Sequence, residues 1–146
     1  MNVLLEDLNC LVNIIEDYGT NMSKVFTDVA VFLKACGQNY PNKPDPKVSD
    51  LAELYKKLIK EEVDEFWEAE AVSDDAEQLD ACFDMIWVIV GYMYARGWNP
   101  SLVWDEGAKS NLAKIDKETG QVIRREDGKI LKPEGWQPPD FNKFVR

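Results

Sequence analysis

The longest apolar run in the sequence, residues 85–94, constrains the possible folds more than any other feature. It belongs to a predicted helix over 74–96 that is apolar on nearly every face beyond Asp84. A helix without a polar face has to be covered on all sides, and a chain of 146 residues can hardly cover it alone. The sequence therefore predicts a homo-oligomer, a dimer or a tetramer, with this helix at the subunit interface.

Four other segments also have apolar residues at helical spacing, namely 2–18, 23–36, 50–71 and 100–115. Ser23 and Asn99 are suited to cap two of these helices, and Asp50 stands at capping-box spacing from Glu53. Gly37 suits the left-handed position just past a helix end. The predicted buried face of the 23–36 helix consists of Phe26, Val29, Ala30, Leu33 and Cys36.

After the last predicted helix the pattern changes to short segments with turn residues. Segments 121–125 and 129–131 flank Glu126-Asp127-Gly128, which has the turn chemistry of a β-hairpin, and prolines mark an irregular tail. The predicted fold is one domain over 1–146. It is an all-α bundle of four to five helices with a short C-terminal β-hairpin and tail over 116–146, assembled as an oligomer.

Several classes of function are excluded by the composition. The sequence has no histidine, which rules out Ser-His-Asp triads, Cys-His pairs and H-E-x-x-H zinc sites. The formal charge of -10 disfavours nucleic acid and anionic membranes as partners, and no apolar run approaches the roughly 20 residues of a membrane span. Cys10, Cys36 and Cys82 lack C-x-x-C spacing, so we expect a reduced, cytoplasmic protein.

Carboxylates form two short patterns on consecutive predicted helices. The first pattern is Glu61, Glu62 and Glu65, and the second is Glu77, Asp80 and Asp84. Residues three or four apart share a helix face, so each set can direct oxygens to a common cation. Because the connection between the two helices is short, we expect them to pack antiparallel and bring the sets together. Oxygen ligands without His or Cys partners select Mg²⁺ or Mn²⁺.

Two alternatives to a metal site stay open. The acidic residues over 61–70 could be the solvated face of an amphipathic helix, in a non-catalytic acidic binding protein or a mimic of nucleic acid. The apolar helix could serve a purely structural oligomer. Asp80 and Asp84 favour the metal site, because they lie within or beside the most apolar stretch, where a lone charge is costly unless paired or metal-bound.

The two acidic patterns resemble the signature of the all-α MazG-like nucleoside triphosphate pyrophosphohydrolases, in their short single-domain form common in bacteria and phages. That signature is E-E-x-x-E followed after a short gap by E-x-x-D, and Asp84 matches a further family aspartate one turn on. The resemblance covers about 28–140 and continues in 32–38, 109–114 and 125–133. Residues 1–22 depart from the family pattern.

The resemblance implies hydrolysis of an NTP or dNTP to the monophosphate and pyrophosphate, with two or more Mg²⁺ or Mn²⁺ ions per site. The residues it implies as metal ligands are Glu62, Glu65, Glu77, Asp80 and Asp84, of which Asp84 could instead support another ligand without binding the ion. Glu61 would orient or deprotonate the attacking water, or act as a ligand. The catalytic residues that the resemblance implies are Glu61, Glu62 and Glu65. The expected location is the cytoplasm, that of the host if a phage encodes the chain. The base is not indicated, and a purine deoxynucleotide such as dGTP is a guess.

The resemblance also implies substrate contacts outside the acidic helices. The residues concerned are Lys109, Asn111, Lys114, Gln38 and Trp136. The first three would reach phosphate or sugar from the last helix, and Gln38 would contact base or sugar. Trp136 and the tail would fold over a nucleotide or a neighbouring subunit, whereas Trp87 and Trp104 are assigned to packing.

Overall fold

The fold consists of four helices and an irregular C-terminal segment in the computed structural model, which describes residues 24–44, 47 and 49–145. Helix α1 covers 24–35 among the described residues, and the later elements are α2 (Asp50–Ala71), α3 (Asp75–Ala95), α4 (Pro100–Leu112) and a 3-10 helix (Phe141–Phe144). The all-α class is thus confirmed for this part of the chain. The predicted helix over 2–18 and the Ser23 cap lie outside the described residues.

Side-chain caps fix where three of the helices begin. Ser49 Oγ accepts a hydrogen bond from Ala52 N–H at 3.2 Å, Asp74 caps α3 through Glu77 N–H, and Asn99 caps α4. Each cap satisfies a backbone donor that the first helical turn leaves unpaired. The cap of α2 is therefore Ser49, and the predicted capping role of Asp50 is wrong by one residue.

Helix α4 is shorter than its predicted range of 100–115. Its last residue is Leu112, and Ala113 is its C-cap. Two residues further on, Ile115 forms an antiparallel bridge with Val122. Lys114 consequently lies just past the helix rather than on it.

The hydrophobic core lies where α1, α2 and α3 meet. Its buried residues are Phe26, Val29, Leu33, Ala52, Tyr55, Val88, Val90 and Ala95. On the predicted face of α1, Phe26, Val29 and Leu33 are buried as predicted. Cys36 is exposed, because it follows the last helical residue. Trp87 packs against this core as predicted. Trp104 is half exposed, at 51%, so its assignment to packing is wrong.

Helices α2 and α3 pack antiparallel over much of their length. A short turn joins them, in which Asp74 N–H donates to the carbonyl of Ala69 at 3.0 Å. At the far end of the pair, the ring of Tyr55 near the start of α2 lies directly over Gly91 near the end of α3. The predicted antiparallel arrangement of the two acidic helices is therefore confirmed.

Helix α3 presents large apolar side chains that the described chain does not cover. Leu79, Phe83 and Ile86 are 72%, 57% and 56% exposed. Helix α1 covers only the later half of α3, since Phe26 lies near Tyr94 and Phe32 packs on Trp87. The surface agrees with the predicted subunit interface, which stays a prediction. None of the described helices is long and apolar enough to span a bilayer.

The segment after α4 contains bridges and turns but no regular strand within 113–145. At the predicted hairpin, Arg124 bridges Ile130 and Gly128 adopts a left-handed φ of 82°. The tail is fastened to α4: Trp136 Nε1–H donates to the Ser110 carbonyl at 2.8 Å, and Ser110 Oγ–H donates to the Gln137 carbonyl at 2.9 Å.

We expect Gly97→Ala to destabilise the fold more than the control Gly120→Ala. Both glycines have a left-handed φ, 68° and 66°, where alanine costs about 1 to 2 kcal/mol. A Cβ at Gly97 would also lie 1.9 Å from the Lys43 carbonyl oxygen, whereas a Cβ at Gly120 meets no described atom within 4 Å. Urea denaturation should show a further loss of about 1 to 3 kcal/mol for Gly97→Ala. Equal losses would contradict this account.

Candidate functional site

The centre of the α2–α3 interface is occupied by a carboxylate. Tyr55, Glu62 and Ala69 follow one another at intervals of seven residues on α2, and the first and last of them are buried. On α3, Asp84 precedes the buried Gly91 by the same interval. Because the helices are antiparallel and Tyr55 meets Gly91, moving seven residues along each helix brings Glu62 opposite Asp84.

Glu62 is the most perturbed of the six candidate carboxylates. Its Oε2 is buried and has no hydrogen-bond partner, although the residue as a whole is half-buried. Burial raises the pKa of Glu62 above its usual 4.5, and the negative charges of Asp84, Glu65, Glu61 and Asp80, in that order, raise it further. The structure thus brings five of the six predicted residues into one electrostatic cluster, which we call the carboxylate cluster.

Glu77 stands apart from the carboxylate cluster. It is exposed in the first turn of α3, seven residues before Asp84, and seven helical residues rise about 10 Å. Among the described groups that raise the pKa of Glu62, Glu77 does not appear. Its predicted role as a metal ligand is untested by these contacts.

Part of the acidic run does form a solvated face. Exposed Asp64 pairs with Lys60 one turn earlier, and Lys56 pairs with Glu53 at 2.8 Å. Glu68 and Glu70 are exposed as well. The solvated-face interpretation therefore fits these residues, whereas Glu62 departs from it because an unpaired buried oxygen is costly.

The donor atoms of the carboxylate cluster suit a hard cation, but their arrangement does not form a complete metal site. Its donors are all carboxylate oxygens, which suit Mg²⁺ or Mn²⁺, and the orphaned Glu62 Oε2 lacks a positive partner. In the described part of the chain, no three Asp, Glu or Cys side chains are grouped closely enough to hold a metal ion. Cation binding would therefore require side-chain rotation toward Glu62.

The residues predicted to contact substrate from α4 lie beside the fastened tail. Lys114 Nζ donates to Asn111 Oδ1 at 2.8 Å. Lys114 and Lys132 also stand over the Trp136 ring, 5.4 and 4.2 Å from its centroid. Lys109 and Trp136 line a cleft of about 990 Å³ between the end of α4 and the tail. Trp136 is held by its own chain, as its contacts with Ser110 and the two lysines show.

Gln38, which follows α1, is in contact with α2. Its Oε1 accepts a hydrogen bond from the Tyr55 hydroxyl at 3.1 Å. Tyr55 and Gly91 were not singled out from the sequence as site residues, although the seven-residue spacing from Glu62 and Asp84 was a signal that could have identified them.

Comparison with known families agrees with the acidic signature. Residues 28–111, more than half of the chain, match the family model described as phosphoribosyl-ATP pyrophosphohydrolase. The match includes both acidic helices and most of α4. The chain has no match among curated protein sequences.

We expect Glu62→Gln to raise the melting temperature in the absence of divalent cations, by about 1 to 3 °C at pH 7. The raised pKa means that ionised Glu62 destabilises the folded state above that pKa, and the amide removes the charge. The gain should shrink as the pH falls toward 4.5, where the folded protein holds the proton more readily than the unfolded chain. Exposed Glu68→Gln is the control on the same helix. A gain that is independent of pH would contradict the assignment.

Proposed function

We propose that this chain, which belongs to the phosphoribosyl-ATP pyrophosphohydrolase family, hydrolyses a nucleoside triphosphate to the monophosphate and pyrophosphate. Membership makes it a pyrophosphohydrolase-type domain that acts on a nucleotide. The observation that carries the finer proposal is Glu62, whose Oε2 is buried and unpartnered and whose pKa is raised by burial and by the charges of four other carboxylates. Such a cluster repels a triphosphate unless cations change its charge.

We propose that the cluster binds two or more Mg²⁺ or Mn²⁺ ions. Glu62, Glu65, Asp80 and Asp84 would be ligands, and Glu77 would join them from the first turn of α3 by rotation of its exposed side chain. Bound ions would neutralise phosphate charge and polarise the phosphorus centre that water attacks. The carboxylates in turn would hold the ions between two rigid helices, with Glu62 contributing the oxygen that has no partner in the described structure.

We propose that Glu61 orients or deprotonates the attacking water. It is exposed at the edge of the cluster and close enough to raise the pKa of Glu62. The carboxylate would accept a proton as the water oxygen bonds to phosphorus, and the α–β phosphoanhydride would break with its electron pair leaving on pyrophosphate. A ligand role for Glu61 is the alternative.

We further propose that Asn111 and Lys114 contact phosphate or sugar. Their hydrogen bond places an ammonium group and an amide side by side, which suits an anionic ligand that accepts bonds from both. Lys109 on the same helix would add positive charge, and Gln38 would contact base or sugar through the amide nitrogen that the Tyr55 bond does not use.

The proposed assembly is a homo-oligomer, a dimer or a tetramer. The support is the uncovered row of Leu79, Phe83 and Ile86 on α3, since contiguous exposed apolar side chains are typical of subunit interfaces. On α2, Trp67 is also 61% exposed and would be a further apolar contact in such an assembly.

We expect turnover to require Mg²⁺ or Mn²⁺ and to be lost in Glu62→Gln, Glu65→Gln and Asp80→Asn, because each change removes a proposed ligand. The measurement is pyrophosphate release from a panel of nucleoside triphosphates, dGTP included, and from phosphoribosyl-ATP, which the family description names. Exposed Glu68→Gln is the control variant.

Full turnover in excess chelator would contradict the metal requirement. Release from phosphoribosyl-ATP alone would replace the proposed substrate class. A protein that binds no Mn²⁺ and cleaves none of these compounds would instead be the acidic binding protein that the charge of -10 allows.

We expect Asn111→Ala and Lys114→Ala each to lower kcat/KM by about ten- to a hundredfold, the effect of losing a charge-assisted hydrogen bond. Because the two side chains bond to each other, the double variant should lose much less than the product of the two single effects. Mn²⁺ affinity of the free enzyme should hardly change. Exposed Lys34→Ala on α1 is the control, and wild-type kcat/KM in both single variants would show that the nucleotide lies elsewhere.

A further inference from the structure

We propose that Tyr55 and Gly91 are positioning residues: the seating of the Tyr55 ring on Gly91 sets the separation of α2 and α3 at the carboxylate cluster. This inference rests on the proposed function, because it concerns the spacing of the proposed metal ligands. Neither residue carries chemistry of its own in the reaction. Their role is to hold like-charged side chains within reach of a shared cation.

The first step of the argument is the absence of a side chain at position 91. A Cβ built on Gly91 would lie 2.3 Å from Cε1 and 2.7 Å from Cζ of Tyr55, closer than real Cβ contacts come. The tyrosine ring therefore fills the space that any other residue at 91 would need. Since glycine is unfavourable within a helix by about 1 kcal/mol relative to alanine, its presence inside α3 points to close backbone approach.

The second step is that the ring has little freedom to move aside. Tyr55 is 4% exposed and belongs to the core with Val88 and Val90. Its hydroxyl donates to Gln38 Oε1 at 3.1 Å, which fixes the outer end of the ring. A group added at Gly91 would accordingly push α3 away from α2 rather than simply rotate the tyrosine.

The third step connects this contact to the carboxylates. Glu62 and Asp84 are each seven residues from it on the same two helices, about 10 Å along the axes. Repulsion between these side chains acts to part the helices, and packing at Tyr55 and Gly91 opposes it. Small buried residues elsewhere on the pair, namely Ala52, Ala69, Ala81 and Ala95, allow the same close approach.

The test is Mn²⁺ binding to Gly91→Ala by calorimetry, with folding checked by circular dichroism. We expect affinity to fall at least about tenfold, the loss typical when the support of metal ligands is disturbed. Gly107→Ala is the matched control, because a Cβ there would meet Phe141 at an ordinary 3.5 Å.

Rescue separates positioning from general destabilisation. In Gly91→Ala/Tyr55→Leu, Cε1 and Cζ, the two ring atoms closest to the new methyl group, are gone, so Mn²⁺ affinity should return most of the way to that of the wild type. In Gly91→Ala, kcat should recover at excess Mn²⁺ whereas the Mn²⁺ concentration for half-maximal activity should stay raised. If Gly91→Ala does not fold, the Mn²⁺ affinity of the double variant is compared directly with that of the wild type.

Unchanged Mn²⁺ affinity in folded Gly91→Ala would overturn the positioning role while leaving the proposed function in place. A folded double variant that binds no better than Gly91→Ala would do the same. Failure of the wild type to bind Mn²⁺ would overturn the proposed function and this inference with it.

Discussion

The close packing of α2 against α3 is the constraint on which the rest of the structure depends. Tyr55 fits over Gly91 only because position 91 has no side chain, and both helices carry small buried alanines elsewhere along their length. This packing brings Glu62 opposite Asp84, an arrangement that electrostatics alone opposes. Packing at the apolar end of the helix pair thus stabilises an arrangement that the carboxylates at its centre destabilise.

The position of the carboxylates on two helices has a chemical consequence. Helical side chains are held by backbone hydrogen bonds and packing, so their spacing is better defined than that of residues on loops. The buried, unpartnered Oε2 of Glu62 is then a consequence of helix packing rather than of a loop conformation. Like charges held close together at such a site lower the stability of the folded protein, and a bound cation would remove that loss. Function and stability oppose each other in this way in binding sites.

A second region, formed by α4 and the tail, is built on different contacts. Glu106 accepts hydrogen bonds from Asp140 N–H and Lys143 Nζ, which lower the pKa of its carboxyl group and fasten the 3-10 helix to α4. Ser110 and Trp136 fasten the preceding segment. The pair of Asn111 and Lys114 is therefore presented beside a fixed surface, which favours a defined orientation for any ligand that it contacts.

The sequence by itself determined the helix types, most of the helix bounds and the antiparallel pairing of the acidic helices. These depend on local signals: periodicity, the cap at Asn99 and a short connection. Only the tertiary structure decided that Glu62 differs from Asp64, since both belong to one acidic run and their burial depends on which face meets α3. The close contact at Gly91 likewise depends on its neighbour across the interface, because the absence of a side chain has meaning only in relation to the ring that fills the space.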